Sequence, residues 1–90
     1  MAEYRLLIKP SAAKEIASIG TKLDRQRIVR RIQSLATEPR PPGCEKLVGL
    51  FSLFRIRQGQ YRVIYSVDDV HHAVEVIKVG HRREVYRSAP

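Results

Sequence analysis

Residues 4–8 alternate in polarity, with Tyr4, Leu6 and Ile8 on one side and Arg5 and Leu7 on the other. That period of two predicts a strand. Pro10-Ser11 then opens a helix, because proline in a first turn lacks only an N–H that had no partner there. Ala13, Ile16, Ala17 and Ile19 give it a narrow apolar stripe, and Gly20 stops it. Thr21, followed three residues later by Asp24, starts a second helix in the manner of a capping box. Leu23, Ile28, Ile32, Leu35 and Ala36 make its expected buried stripe. Arg25, Arg27, Arg30, Arg31 and Gln33 cover much of the remaining surface, and Pro39, Pro41, Pro42 and Gly43 end the helical part.

The second half has a period of two. Phe54, Ile56, Val63, Tyr65 and Val67 fall on alternate positions, and so do Arg55 and Arg57. Gln58-Gly59-Gln60 interrupts them, so residues 50–58 and 61–67 read as a hairpin. Asp68-Asp69 opens the next turn, residues 73–79 form a third strand of the meander, and Gly80 ends it. Residues 82–87 read as a short terminal helix. The order β-α-α-β-β-β predicts an α+β fold. Two N-terminal helices pack on one face of a mostly antiparallel four-stranded sheet, in a single domain over residues 1–90.

The hairpin register follows from its loop. A two-residue turn at Gly59-Gln60 sets Gln58 against Tyr61, Arg57 against Arg62 and Arg55 against Ile64. Alternation then places Leu53, Arg55, Arg57, Arg62, Ile64 and Ser66 on one face, and the aromatic and aliphatic set on the other. A one-residue slip would turn the apolar set outward. The polar face gathers three arginines, with no acidic residue between positions 46 and 67. Like charges directly opposite cost up to ~1 kcal/mol, so the arrangement points to an anion or an acidic partner. The competing reading is three arginines splayed into solvent.

Charge extends that point to the whole chain. Ninety residues carry 17 Lys+Arg against 9 Asp+Glu, a formal net charge of +8. Twelve of the cations are arginine, whose planar fork holds phosphate bidentately. The excess is not a tail, since residues 1–45 and 46–90 each net +4. Nucleic acid is the first partner to consider and an acidic protein segment the second. Composition excludes other classes. The apolar runs span a few residues, against about 20 for a membrane span. Charges at Glu3, Arg5 and Lys9 break any signal-peptide core, so a cytoplasmic protein is expected. The single cysteine, Cys44, excludes an internal disulfide framework and a cysteine-based zinc cluster.

The C-terminal segment reads VGHRREVYR. If the meander holds, His81, Arg82, Arg83, Tyr86 and Arg87 are delivered near Arg62. Arg82 and Tyr86 stand four apart, on one face of a helical turn, where an arginine can hold a phosphate and a tyrosine can stack a base. The plainer reading is a basic terminus with Tyr86 packed on the sheet edge. His81 has the pKa range of an acid or base, as does any histidine. His71 and His72 adjoin in a turn with no further ligand evident, so no metal and no cofactor are expected.

The run GLFSLFRIRQGQYRVIYSVDD and the ending VGHRREVYR resemble the RelE toxins of the RelE/ParE superfamily. The most specific stretches are L-x-G-L-x-x-x-F-R-I-R at 47–57, Y-R-V-I-Y at 61–65 and G-H-R-R-E-V-Y-R at 80–87. The resemblance implies a toxin of a toxin–antitoxin pair that enters the ribosomal A site and cuts mRNA there. The ribose 2′-OH attacks the adjacent phosphate, leaving a cyclic phosphate and a 5′-OH. Carried over by motif, the catalytic residues are Arg55, Arg57, Arg62, Arg82 and Tyr86. His81, Arg83 and Arg87 join the RNA-binding set, and Arg25, Arg27, Arg30 and Arg31 form a ribosome-contacting helix. The implied partners are a cognate antitoxin, the ribosome and mRNA; operator DNA is reached only through the antitoxin complex. One departure matters. Familiar members carry lysine where this chain has Arg55 and Arg57, and arginine does not give up its proton. Three readings stay open: these arginines orient and neutralise the phosphate while ribosome or RNA takes the proton, His81 acts as base or acid, or activity is weak. Two other functions fit a similar chain: a DNA gyrase poison of the ParE type and a plain nucleic-acid-binding module.

Overall fold

The computed structural model describes residues 3–47, 49 and 52–85. Strand β1 (Arg5–Ile8) is followed by helices α1 (Pro10–Ala17) and α2 (Lys22–Ser34). Four further strands follow: β2 (Glu45–Lys46), β3 (Leu53–Gln58), β4 (Tyr61–Asp68) and β5 (Ala73–His81). They form one sheet in the order β1-β5-β4-β3-β2. β1 runs parallel to β5, and every other pair is antiparallel. The α+β class is as expected, with a fifth strand, β2, that the sequence pattern did not announce. No helix among the described residues is long and apolar enough to cross a membrane.

The helices form where the local signals put them. Pro10 occupies the first turn of α1, and the Thr21 side chain accepts from the Asp24 N–H at 3.1 Å to start α2. The buried stripes differ from expectation in phase. In α1 the core residue is Ala12, with Ile16 half-buried and Ile19 buried just beyond the helix; Ala13 and Ala17 are exposed. In α2, Ile28 and Ile32 are buried, and Leu35 follows them, but Leu23 is 54% exposed. Leu23 lies five residues before Ile28, about 140° around the helix from that stripe.

Under the helices sit Phe54, Ile56, Val63, Tyr65, Val67, Val74, Val76 and Val79. Each such side chain, fully buried, contributes about 1.5–3 kcal/mol. Tyr65 is the largest and is fully buried. Its hydroxyl donates to the Pro39 carbonyl at 2.7 Å, so the core phenol keeps a hydrogen bond. Burial, and then Cys44 beside it, push that phenol well above its ordinary pKa.

The β3–β4 register matches the expected one: Gln58 opposes Tyr61, Arg57 opposes Arg62 and Arg55 opposes Ile64. Gly59 takes φ +60°, the first central position of a two-residue hairpin loop where glycine carries no steric penalty. β5 departs from the expectation twice. It continues through Gly80 to His81, pairing Gly80 with Arg62 and His81 with Tyr61. It also slips register, so that Ile64 faces Lys78 while Tyr65 faces Val76, leaving Ile77 as a bulge. The bulge exchanges the faces downstream. Val79 and His81 join the helix-bearing face, and Gly80 joins the open face with Arg62.

Candidate functional site

The open face of the hairpin assembles the predicted arginines. Arg57 and Arg62 are cross-strand neighbours, and Arg55 follows one pleat further along. Arg82 continues the β4 pairing through its backbone N–H, which donates to the Gln60 carbonyl at 2.7 Å. The Arg62 guanidinium donates to the carbonyls of Tyr61 and Gly59, at 3.0 and 3.2 Å, so it is held at the hairpin end. Partial burial, then the charges of Arg57, Arg55 and Arg82, push Arg62 below its ordinary value. An arginine stays protonated under such pressure, so the strain is relieved only by an anion.

One carboxylate enters this field, and the sequence reading missed it. Glu45 stands one residue before the acid-free stretch of 46–67, on β2 directly opposite Arg55. Its Oε2 accepts from Arg55 Nη2 in an ion pair, and its charge also reaches Arg62, where it favours the protonated form. Arg55 is therefore a paired arginine rather than one of three uncompensated ones. The available sequence signal was parity. Glu45 and Arg55 fall on positions of the same parity, but a two-residue strand has no pattern to read.

His81 lies elsewhere. It pairs with Tyr61, its ring edge-on to the tyrosine ring with centroids 5.9 Å apart, on the helix-bearing face. Its Nδ1 accepts from the Arg83 backbone N–H at 3.3 Å. Residues 82–85 form a turn whose Glu84 and Val85 N–H groups both donate to the His81 carbonyl. Val85 is fully buried, and a β-carbon at Gly80 would come within 3.4 Å of it, so the turn folds back onto Gly80. Arg83 is exposed on that turn. Over 82–85 the expected helix is this turn instead, and Tyr86 and Arg87 lie outside the described residues.

The α2 arginines divide into two kinds. Arg25 is half-buried and donates from Nη1 to the Ile19 carbonyl at 2.6 Å, closing the α1–α2 turn. Arg27 and Arg30 are exposed, Arg31 is half-buried, and all three line a groove that reaches Gln58 at the hairpin end. The paired histidines carry local structure. His71 Nδ1 meets the Asp68 carboxylate at 2.8 Å, and His72 takes φ +50° in the β4–β5 turn. No group of three or more metal-ligating side chains occurs among the described residues.

Comparison with known proteins returns the same two-helix α+β scaffold. Residues 6–86 match the family described as ParE toxin of type II toxin-antitoxin system, parDE. The chain belongs to the RelE/ParE toxins and is a RelE-type toxin. It is 31% identical over 87 residues to Toxin RelE of Mycobacterium tuberculosis, spanning 97% of this chain and 90% of that protein. The archaeal RelE–RelB complex from Pyrococcus horikoshii superposes with a TM-score of 0.80 at 32% identity, over 91% of this chain and 97% of that one. A doubly substituted E. coli RelE in the free state gives 0.76 at 30% identity, over 97% and 94%. The RelE-type fold therefore holds the arginine hairpin of this toxin.

Proposed function

We propose that this toxin is a ribosome-dependent endoribonuclease that cleaves mRNA in the A site. The observation that carries the reading is the gathering of Arg57, Arg62 and Arg82 beside the Arg55–Glu45 pair. Cleavage needs positive charge preset around a phosphate and one group able to take a proton. Glu45 is that group within the protein, where the sequence alone left the proton to the ribosome, the RNA or His81. In the step, Glu45 accepts the 2′-OH proton, O2′ bonds to phosphorus, the P–O5′ bond breaks, and the departing O5′ takes a proton from solvent. The products are a cyclic phosphate and a 5′-OH. Arg57 and Arg62 neutralise the non-bridging oxygens, Arg55 holds Glu45 in place, and Arg82 meets the charge on the departing oxygen. Tyr86 stacks the neighbouring base. His81, Arg83 and Arg87 add contacts to the strand, and Arg27 and Arg30, with Arg31, face ribosomal RNA. By analogy with the Pyrococcus relative, solved as a RelE–RelB complex, the neutralising partner is a cognate antitoxin.

The test is incubation with programmed ribosomes and mapping of mRNA ends. Wild type yields A-site cuts. Arg62→Ala slows them by about 10²–10³, the usual loss for one charge-stabilising donor. Glu45→Gln slows them by about 10²–10⁴ as a lost general base. Unchanged rates in both variants would overturn the assignment. The matched family's description names the ParE branch, which supports a second reading, a DNA gyrase poison. A parallel supercoiling assay separates the two, since gyrase inhibition without mRNA cuts replaces the ribonuclease.

A further inference from the structure

β1 ends at Ile8, opposite Val76, and beyond that point the outer edge of β5 has no strand neighbour among the described residues. A cavity of about 400 Å³ opens there. Its walls are Glu15 from α1, Lys78, Gly80 and the Tyr61–His81 ring pair from the sheet, and Glu84 and Val85 from the C-terminal turn. Gly80 is also the cross-strand partner of Arg62, so the cavity and the arginine cluster share one stretch of backbone, Gly80–Arg82.

The lining selects by chemistry. Lys78 is paired with Glu15, which leaves the Glu84 carboxylate uncompensated in the lining and makes the cavity a poor place for a phosphate. Glu15 is already engaged: Oε1 accepts from the Val79 N–H at 3.0 Å and Oε2 from Lys78 Nζ at 2.9 Å. Glu84 is exposed at the rim and supplies an acceptor at the mouth. Aromatic rings set edge to face form an apolar wall against which a flat ring can lie. With Nδ1 of His81 accepting, its Nε2–H is the donor left for a ligand. A flat, uncharged group bearing a hydrogen-bond donor for Glu84 and an acceptor for His81 Nε2–H satisfies all of these surfaces.

We propose that this cavity receives one nucleobase of the RNA strand, with Glu84 favouring bases that carry an exocyclic amino group. The proposal deepens the ribonuclease reading, and rests on it for the claim that the strand is mRNA. Arg82 stands between His81 and Glu84, both of which line the cavity, so a strand whose phosphate sits at Arg82 brings an adjacent base to the cavity mouth. Adenine and cytosine then bind better than uracil, since a carboxylate accepts from an amino group and repels a carbonyl oxygen. Discrimination of about three- to tenfold is expected for one charge-assisted hydrogen bond at a partly solvated rim.

The experiment is a ¹⁵N-resolved NMR titration of the full chain with the deoxydinucleotides d(ApA), d(CpC) and d(TpT), none of which has a 2′-OH to attack. Expected are shifts of the Val79, Gly80, Glu84 and Val85 amides, with d(CpC) and d(ApA) binding three- to tenfold tighter than d(TpT). The comparison of d(CpC) with d(TpT) holds ring size constant. Glu84→Ala removes the preference: d(ApA) and d(CpC) bind more weakly, and d(TpT), freed of the carbonyl repulsion, binds no more weakly than to wild type. Equal affinities in wild type, shifts confined to Arg57 and Arg62, or an unaltered preference in Glu84→Ala would each overturn the proposal. The measurement needs neither ribosome nor cleavage. A failure of the mRNA-cutting assay therefore strikes the ribonuclease reading, and this titration still decides the cavity.

Discussion

Single residues outside the site hold the turns that aim it, and Asp69 is the clearest case. Its carboxylate takes the Arg40 guanidinium through both oxygens, at 2.8 and 3.2 Å, and accepts from the Tyr4 hydroxyl at 2.6 Å. Arg40 in turn lies over the Phe54 ring, 5.1 Å from its centroid. One carboxylate thus ties the start of β1, the proline-rich loop and the β4–β5 turn together. Arg40 first, and Tyr4 after it, hold Asp69 below the usual carboxylate range. His71 does the same for Asp68, through its side chain and its backbone N–H. For carboxyls lowered in the folded state, the stabilisation is present above the unfolded value of about 4 and is lost as pH falls through the folded values. Thermal unfolding followed by circular dichroism should therefore show a melting temperature level near pH 7 and falling below about pH 4. Asp69→Asn should melt lower at pH 7 and lose less on acidification. Parallel profiles for the two proteins would show that Asp69 carries no such linkage.

At the level of elements, α1 completes the sheet where β1 runs out. Glu15 gives the Val79 N–H the acceptor that a longer β1 would have given, and ties down Lys78 as well. This fixes the stretch from which Gly80, His81 and Arg82 emerge. Glu15→Ala leaves a half-buried lysine and a strand amide without that partner, at a cost of about 1–3 kcal/mol. Glu15→Gln still offers a carbonyl to Val79 and should recover part of it. Hydrogen exchange at Val79 measures the local effect: fast in the alanine variant, intermediate in the glutamine variant. Equal protection in all three would mean that Glu15 does not hold the edge. The same elements show how far the sequence could be read. The β3–β4 register was legible because a glycine turn and strict alternation agree, and with it the facing of Arg57 and Arg62. The bulge at Ile77 was not, since AVEVIKV alternates acceptably in either phase and only packing under α1 chooses. That choice puts His81 on the face away from the arginines. β2 was illegible for a different reason: two residues carry no period, so Glu45 looked like loop. Leu23 looked buried because an apolar count ignores 140° of helix rotation.

At the scale of the molecule, the charge of +8 has to be counted by what surrounds it. Arg25 is spent on the α1–α2 turn, Arg40 on Asp69 and Arg55 on Glu45. On the proposed ribonuclease reading, the arginines that meet RNA at the site are Arg57, Arg62 and Arg82. Neutralising a phosphate of a single strand releases about 0.7 of a counterion, so three contacts give a log–log salt slope of about −2.1. Affinity for a single-stranded RNA should fall roughly 20-fold between 50 and 200 mM salt. Glu45→Gln removes the carboxylate charge facing Arg55, and if Arg55 then makes a fourth contact the slope should steepen to about −2.8, or roughly 50-fold over the same range. The same substitution is expected to slow cleavage, so it should bind RNA more tightly at low salt while cutting less. That opposition separates a proton acceptor from a mere brace for Arg55, because loss of a brace would weaken binding and cleavage together. Filter binding of the variant and wild type across salt, set beside their cleavage rates, measures both. A slope that stays at −2.1 in Glu45→Gln would show that Arg55 never reaches the strand.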